Sequence, residues 1–185
     1  MNTLERKLPI GIQTFEDIRR GNYLYVDKTS ILWQIINTGK PYFLSRPRRF
    51  GKSLLISTFE AYFQGRKDLF EGLAIEKLET KWEQYPVLHL DLNTQEYNSV
   101  DRLKEKLNIA LTGWEKECGA EPAEKSLSTR FEGIIKRTSQ KMGQRVVILI
   151  DEYDKPMLQA IGNPGLQDAY RSLLKSFYGA LKSAD

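Results

Sequence analysis

The sequence predicts an α/β fold in which a mostly parallel sheet carries helices on both faces. Two observations support it. Segments with strand character alternate with segments that have helical spacing, which is typical of βα units. One of these segments, 145–150 (RVVILI), is a continuous β-branched run of the kind found in strands buried on both faces.

Four segments are predicted to be strands, on the basis of β-branched and aromatic residues between turn signals: 23–26, 42–45, 86–92 and 145–150. Six segments are predicted to be helices, on the basis of apolar residues at a spacing of three and four: 12–20, 28–39, 52–64, 99–117, 126–140 and 165–185. Asp27 is positioned to cap the second helix, and Gly39 to end it.

Composition narrows the class of protein. Of the 185 residues, 41% are hydrophobic and 28% charged, which is ordinary for a globular domain. A single cysteine excludes an intrachain disulfide and suits a reducing, cytoplasmic compartment, and with one histidine it argues against a structural zinc site. No apolar run is long enough to span a bilayer, so we expect no membrane association. The net charge of +4 does not by itself indicate nucleic-acid binding.

The segment Tyr42–Glu60 (YFLSRPRRFGKSLLISTFE) resembles a phosphate-binding loop between a strand and a helix. Gly51 would let the backbone approach a phosphate, Lys52 would reach the β- and γ-phosphates, and the Ser53 hydroxyl would bind Mg²⁺. The standard motif has its first glycine where this chain has Arg46, and Pro47 favours an extended conformation there. The alternative is a solvated basic loop that precedes a surface helix.

A second motif follows the apolar run 145–150, where Asp151 and Glu152 stand at its carboxyl end. Ligands of open α/β sheets bind beyond the carboxyl ends of the strands. An aspartate there can hold Mg²⁺, and an adjacent glutamate can polarise an attacking water. The alternative is that the acidic pair only ends a core strand and caps a turn. The two motifs together favour a nucleotide site.

Four segments together resemble the AAA-ATPase-like family of bacterial and archaeal proteins: LPIGIQTFEDIRRGNYLYVDKT, YFLSRPRRFGKSLLISTFEAYFQGRKDLFEGLAI, YPVLHLDL and VVILIDEYDKP. The resemblance covers nearly the whole chain, and the Arg-Pro-Arg-Arg-Phe-Gly-Lys-Ser loop is characteristic of that family. The resemblance therefore implies that Arg46 belongs to the family's own form of the loop.

The resemblance implies an additional-strand P-loop ATPase fold, in which VLHLDL fits the strand inserted between the two motif strands. Members usually continue with a strand that carries a polar sensor residue, and often with a nuclease-like domain of the PD-(D/E)xK type. We expect residues 1–185 to be the N-terminal part of such a P-loop domain within a longer protein. Nucleic acid would be a partner only through that further region, and self-association is a second possible interaction.

The expected cofactors are ATP and Mg²⁺, with ATP favoured over GTP because the chain has no [NT]-K-x-D guanine motif. Lys52 and Glu152 are the predicted catalytic residues, and Ser53 and Asp151 the predicted metal ligands. The predicted nucleotide-binding residues are Arg46, Pro47, Arg48, Arg49, Phe50, Gly51, Lys52, Ser53 and Leu54. The alternative function is a nucleotide-gated binding module with little or no hydrolysis.

Several polar residues keep two interpretations. The element Tyr25–Thr29 could lie near the nucleotide, although a capping role for Asp27 is favoured. Asp91, near the end of its strand, could assist at the metal or the water. Lys155 could support the site from outside or could simply be a turn residue, and the same holds for Asp154. His89 and the three tryptophans are predicted to be packing residues.

Overall fold

The computed structural model describes residues 6–45, 50–93 and 95–183. The chain divides into two compact units, the first ending at Tyr85 and the second beginning at Pro86.

The first unit is mainly helical and has an aromatic core. Its α-helices are α1 (Phe15–Arg20), α2 (Thr29–Asn37) and α3 (Lys52–Phe63), and its 3₁₀ helices are Lys67–Phe70 and Ala74–Lys77. The fully buried rings of Phe15 and Phe70 lie at its centre, with ring centroids 4.8 Å apart. The 3₁₀ helices were not predicted from the sequence, because their apolar residues do not follow a helical period.

The predicted strands of the first unit do not form. Of the segment 23–26, only Tyr23 pairs, in an isolated parallel bridge with Lys7. The segment 42–45 has no regular structure, and Tyr42 and Phe43 are 56% and 72% exposed. A strand exists only where a neighbouring strand takes up its N–H and C=O groups. Within the described residues of this unit, no such neighbour lies beside 42–45.

The second unit contains a parallel sheet of two strands, β1 (Val87–Asp91) and β2 (Val147–Asp151). In the pairing register Val87 lies beside Val147 and Asp91 beside Asp151. The helices of this unit are α4 (Val100–Cys118), α5 (Leu127–Met142), α6 (Lys155–Gln159) and α7 (Pro164–Ser183). The structure is thus of mixed α/β type, as predicted. The bounds of α4, α5 and α7 agree with the predicted helices within two residues, whereas the short α6 was not predicted.

One hydrophobic core joins this sheet to the long helices. Leu88 and Leu90 of β1 pack in it together with the inward residues of α4, α5 and α7, among them Leu107, Phe131 and Phe177. Successive side chains of a strand point to opposite faces. Asp91 and Asp151 therefore lie on the face opposite to Leu88 and Leu90.

Candidate functional site

Gly51 is the N-cap residue of the motif helix α3 and has a conformation that only glycine adopts without strain. Its φ is 74° and its ψ is 26°, in the left-handed region. A Cβ built on Gly51 would meet no atom within 4 Å. The requirement for glycine is therefore conformational, since an L-residue there would cost about 1–2 kcal/mol.

The first turn of α3 is suited to an anion. The first N–H groups of any helix lack intrahelical acceptors, and a glycine N-cap has no side chain that could accept a bond from them. The first turn contains Lys52 and Ser53, both partly exposed, and no acidic residue. Because the N-terminal end of a helix carries partial positive charge, these features together favour a phosphate group.

Packing and hydrogen bonds hold this turn in place. The carbonyl of Leu54 accepts bonds from Ser57 Oγ at 2.9 Å and from Thr58 Oγ1 at 2.7 Å. Ser57 Oγ in turn accepts the N–H of Phe15 at 2.9 Å. The Leu54 side chain packs against the core of the first unit, so its predicted contact with a nucleotide would involve only its main-chain N–H. Phe50, just before the helix, is 63% exposed.

In the element Tyr25–Thr29, the side chains of Asp27 and Thr29 bind the start of the 3₁₀ helix Ala74–Lys77. Oδ1 of Asp27 accepts bonds from the Thr29 N–H at 2.8 Å and the Thr29 hydroxyl at 2.7 Å, and Oδ2 accepts the Ala74 N–H at 2.7 Å. Thr29 Oγ1 also accepts the N–H of Ile75 at 3.0 Å. Burial raises the pKa of Asp27, but the N–H groups of Thr29 and Ala74, the Thr29 hydroxyl and the charge of Arg19 together outweigh it and leave this pKa lowered. The favoured interpretation is supported in part: Asp27 binds the N–H of the first residue of α2, although the N-cap residue itself is Lys28.

The acidic motif lies in the second unit, at the carboxyl end of β2. Asp151 is 7% exposed, and its Oδ1 accepts the N–H of Glu152 at 2.9 Å. Glu152 has a φ of 52°, which is unusual for a residue with a side chain. The chain therefore turns sharply at Glu152, immediately after the sheet ends.

Asp91 has the same position in β1 that Asp151 has in β2. The two are register partners on adjacent parallel strands, so their side chains lie on the same face of the sheet. Oδ1 of Asp91 accepts the N–H of Asn93 at 2.7 Å, as Asp151 accepts that of Glu152. Each strand thus ends in a carboxylate bound by the loop that follows it. Sequence analysis did not identify Asn93, although an asparagine directly after a strand is a recognisable turn signal.

The remaining predictions have mixed outcomes. Arg46, Pro47, Arg48 and Arg49 lie outside the described residues. Trp33 and Trp82 pack against the core of the first unit and Trp114 against that of the second, as predicted. Lys52 and Ser53 belong to the first unit and the acidic pair to the second. The convergence of Lys52 with the acidic pair on one triphosphate stays a prediction.

Two broader properties can be stated for the described part of the chain. No group of three or more Asp, Glu, His or Cys side chains in it is arranged to hold a metal ion. This is compatible with Mg²⁺, which is often bound through one or two protein oxygens and the substrate phosphates. Among the described helices, none has both the length and the apolar character needed to cross a bilayer.

Comparison with known proteins identifies the family. The chain is 39% identical over 184 residues to an Azotobacter chroococcum mcd 1 protein described as "Uncharacterized protein in vnfD 5'region". The match covers 97% of this chain but 35% of that relative, so this chain spans about a third of the relative's length. No solved structure matches. A family model described as "Predicted AAA-ATPase" matches residues 9–185, and the chain therefore belongs to the predicted AAA-ATPase family.

Proposed function

We propose that this chain is a P-loop domain that binds ATP and hydrolyses it with the help of Mg²⁺, in the cytoplasm. The observation that carries the proposal is the start of α3, where Gly51 adopts the left-handed conformation and directly precedes Lys52 and Ser53. Membership of the predicted AAA-ATPase family supports it.

In this proposal the first unit binds the phosphates. The main-chain N–H groups of the segment 46–54, apart from Pro47, which has none, donate to phosphate oxygens, and the Lys52 ammonium neutralises charge on the β- and γ-phosphates. The arginines at 46, 48 and 49 add positive charge to the same loop. The exposed aromatic ring of Phe50 stands immediately before the glycine.

The donor set fits Mg²⁺. This ion prefers hard oxygen ligands, and Ser53 and Asp151 supply a hydroxyl and a carboxylate. A carboxylate has about four lone-pair sites, so the bond that Asp151 accepts from Glu152 leaves it able to bind a cation. When bound, the ion would neutralise charge that develops on the phosphate oxygens.

Glu152 is the proposed general base. It would orient the attacking water and accept its proton, while Lys52 stabilises the charge on the transferred phosphoryl group. The left-handed turn at Glu152 supports a role at the site, since strained non-glycine residues occur preferentially at functional positions.

Calorimetric titration with ATP and Mg²⁺ tests the binding step. We expect K52A to weaken binding on the order of 10–100-fold, because a hydrogen bond from a charged group contributes about 1.5–3 kcal/mol. K40A is the matched control, since it removes the same charge from an exposed site outside the motif and should leave affinity nearly unchanged. E152Q should keep ATP binding and lose turnover. Equal affinities of the unaltered protein and K52A would refute the proposal.

The second candidate is a nucleotide-gated binding module that switches its contacts with an appended region and hydrolyses ATP slowly or not at all. It is favoured by the length of the Azotobacter relative, most of which lies outside the matched part. ATP binding that depends on Lys52, without turnover that depends on Glu152, would support this candidate over the first.

A further inference from the structure

Lys155 joins the two loops that follow the strands of the sheet. Its Nζ donates to the main-chain oxygen of Asn93 and, at 3.2 Å, to Oδ1 of the same residue. Its main-chain N–H donates to the carbonyl oxygen of Glu152 at 3.0 Å. One residue, the first of α6, is therefore bound both to the loop after β1 and to the turn after β2.

Each of these two partners also holds a strand-end carboxylate. The N–H of Asn93 donates to Asp91, and that of Glu152 donates to Asp151. Asp91 and Asp151 are neighbours in the sheet register. The two carboxylates are therefore linked through Asn93, Lys155 and Glu152, because each residue in this series is hydrogen-bonded to the next.

We infer that Lys155 is a positioning residue for Asp151 and Glu152: its side chain anchors the turn that carries these two residues to Asn93 in the loop after β1. This inference rests on the proposed ATPase function. The physical reason is the backbone of Glu152, whose φ of 52° costs about 1–2 kcal/mol and persists only when the surroundings hold it. An ammonium group with three donors can bind both oxygens of Asn93 at once.

A second connection between the same loop and helix provides a matched control. Oε1 of Gln159, the last residue of α6, accepts the N–H of Tyr97 at 2.7 Å. This bond fastens the loop after β1 to α6 without involving Asn93 or Glu152. If Lys155 had only a structural role, then K155M and Q159M would have similar effects.

Steady-state ATP hydrolysis distinguishes a positioning role of Lys155 from a purely structural role. We expect K155M to lower kcat about 10–100-fold, which is the usual effect of removing a residue that orients a metal ligand. The KM for ATP should change less than about twofold. K155R should retain most of the activity, because a guanidinium can donate to both oxygens of Asn93. Q159M should keep the kcat of the unaltered protein. Unchanged kcat in K155M, or an equal loss in Q159M, would overturn the inference.

Amide hydrogen exchange followed by NMR tests the same connection without ATP. K155M removes both Nζ bonds to Asn93 and should lower protection of the Asn93 N–H, while the main-chain bond from residue 155 to Glu152 remains. Q159M should instead affect the N–H of Tyr97. Unchanged protection in K155M would overturn the inference whether or not the protein hydrolyses ATP. Absence of turnover in the unaltered protein, with this exchange pattern present, would overturn only the proposed ATPase function.

Discussion

The long helices of the two units begin in different ways. In the second unit a side chain caps each one: Ser99 accepts the N–H of Arg102 at 3.4 Å, and Asn163 accepts that of Leu166 at 3.1 Å. Ser126 caps α5 through a capping box. In the first unit the N-cap residue of α3 is Gly51, which has no side chain to serve as a cap.

The presence or absence of a side-chain cap decides whether the start of a helix contributes to stability or is available for binding. A side-chain cap stabilises a helix by about 1 kcal/mol because it satisfies N–H groups that would otherwise lack an acceptor. The second unit uses its helix starts in this way. The start of α3 lacks this stabilisation, and its N–H groups can donate to a ligand instead.

The cores differ as well. In the second unit Phe131 stacks between Trp114 and Phe177, with centroid distances of 5.7 and 4.6 Å and interplanar angles of 24° and 3°. In the first unit Phe70 contacts Phe15 and Trp82 in tilted arrangements. The core of the second unit thus joins α4, α5 and α7 through one aromatic stack. The core of the first unit is built from aromatic rings of several short segments.

The largest expected effect is on the stacked core. F131A should lower the free energy of unfolding by about 3–5 kcal/mol, because it removes a fully buried ring and leaves a cavity between two others. Urea denaturation followed by circular dichroism measures it. The control I109A alters a side chain of α4 that is 60% exposed and should change stability by less than about 0.5 kcal/mol. A loss below about 1 kcal/mol in F131A would show that the stack does not dominate this core.

The next effect concerns the ion pair between α4 and α5. Arg130 donates to both carboxylate oxygens of Glu115 at 2.7 Å, with side-chain exposures of 17% and 13%. At neutral pH, R130M should lower the free energy of unfolding by about 2–3 kcal/mol, since it leaves a largely buried carboxylate without its partner. K136A, which removes the exposed partner of Glu132, should cost less than about 0.5 kcal/mol.

This second effect should depend on pH. The hydrogen bonds from Arg130 hold the pKa of Glu115 below its ordinary value. A carboxyl whose pKa is lowered by folding contributes stability above its unfolded pKa of about 4.3 and loses that contribution as the pH falls through the folded pKa. The stability difference between the unaltered protein and R130M should therefore narrow below about pH 4. A difference that stays constant from pH 7 to pH 3 would contradict the ionic origin.

The smallest effect on stability compares Gly51, the N-cap residue of α3, with Gly39, which follows the end of α2. G51A and G39A each place a side chain at a positive φ, 74° and 62°, where a Cβ meets no atom within 4 Å. Both should lower the free energy of unfolding by about 1–2 kcal/mol. Only G51A should weaken ATP binding in calorimetry, because only Gly51 is the N-cap residue of the motif helix. Equal loss of binding in both variants would show that general destabilisation is the cause.

Local patterns in the sequence predicted much of this structure. Apolar spacing located the long helices, and the apolar run before Asp151 located β2. The β-prone segment 42–45 misled the prediction because β-propensity describes a fit to a pleated, paired surface and supplies no partner. The bond from Asp27 to the start of α2 was predictable from its position before that helix, whereas its bond to Ala74 joins residues 47 positions apart.

The candidate site also contains residues that the sequence identified and a connection that it did not. Gly51, Lys52, Asp151 and Glu152 were recognisable as candidates because each motif is contiguous in the sequence. The connection between Lys155 and Asn93 was not, because it spans 62 positions and exists only where two strands lie side by side.

By itself, the sequence determined the elements whose causes lie within one helical turn: helix periods, serine caps, and a glycine before Lys52. Tertiary structure decided which distant groups meet. Gly133, inside α5, illustrates the difference. The carboxylate of Glu124, held by two bonds from Arg137, lies 1.7 Å from where a Cβ on Gly133 would stand. Helix propensity disfavours glycine at such a position, and only the path of the folded chain brings Glu124 across the helix, where a larger residue at 133 would require the Glu124 side chain to move.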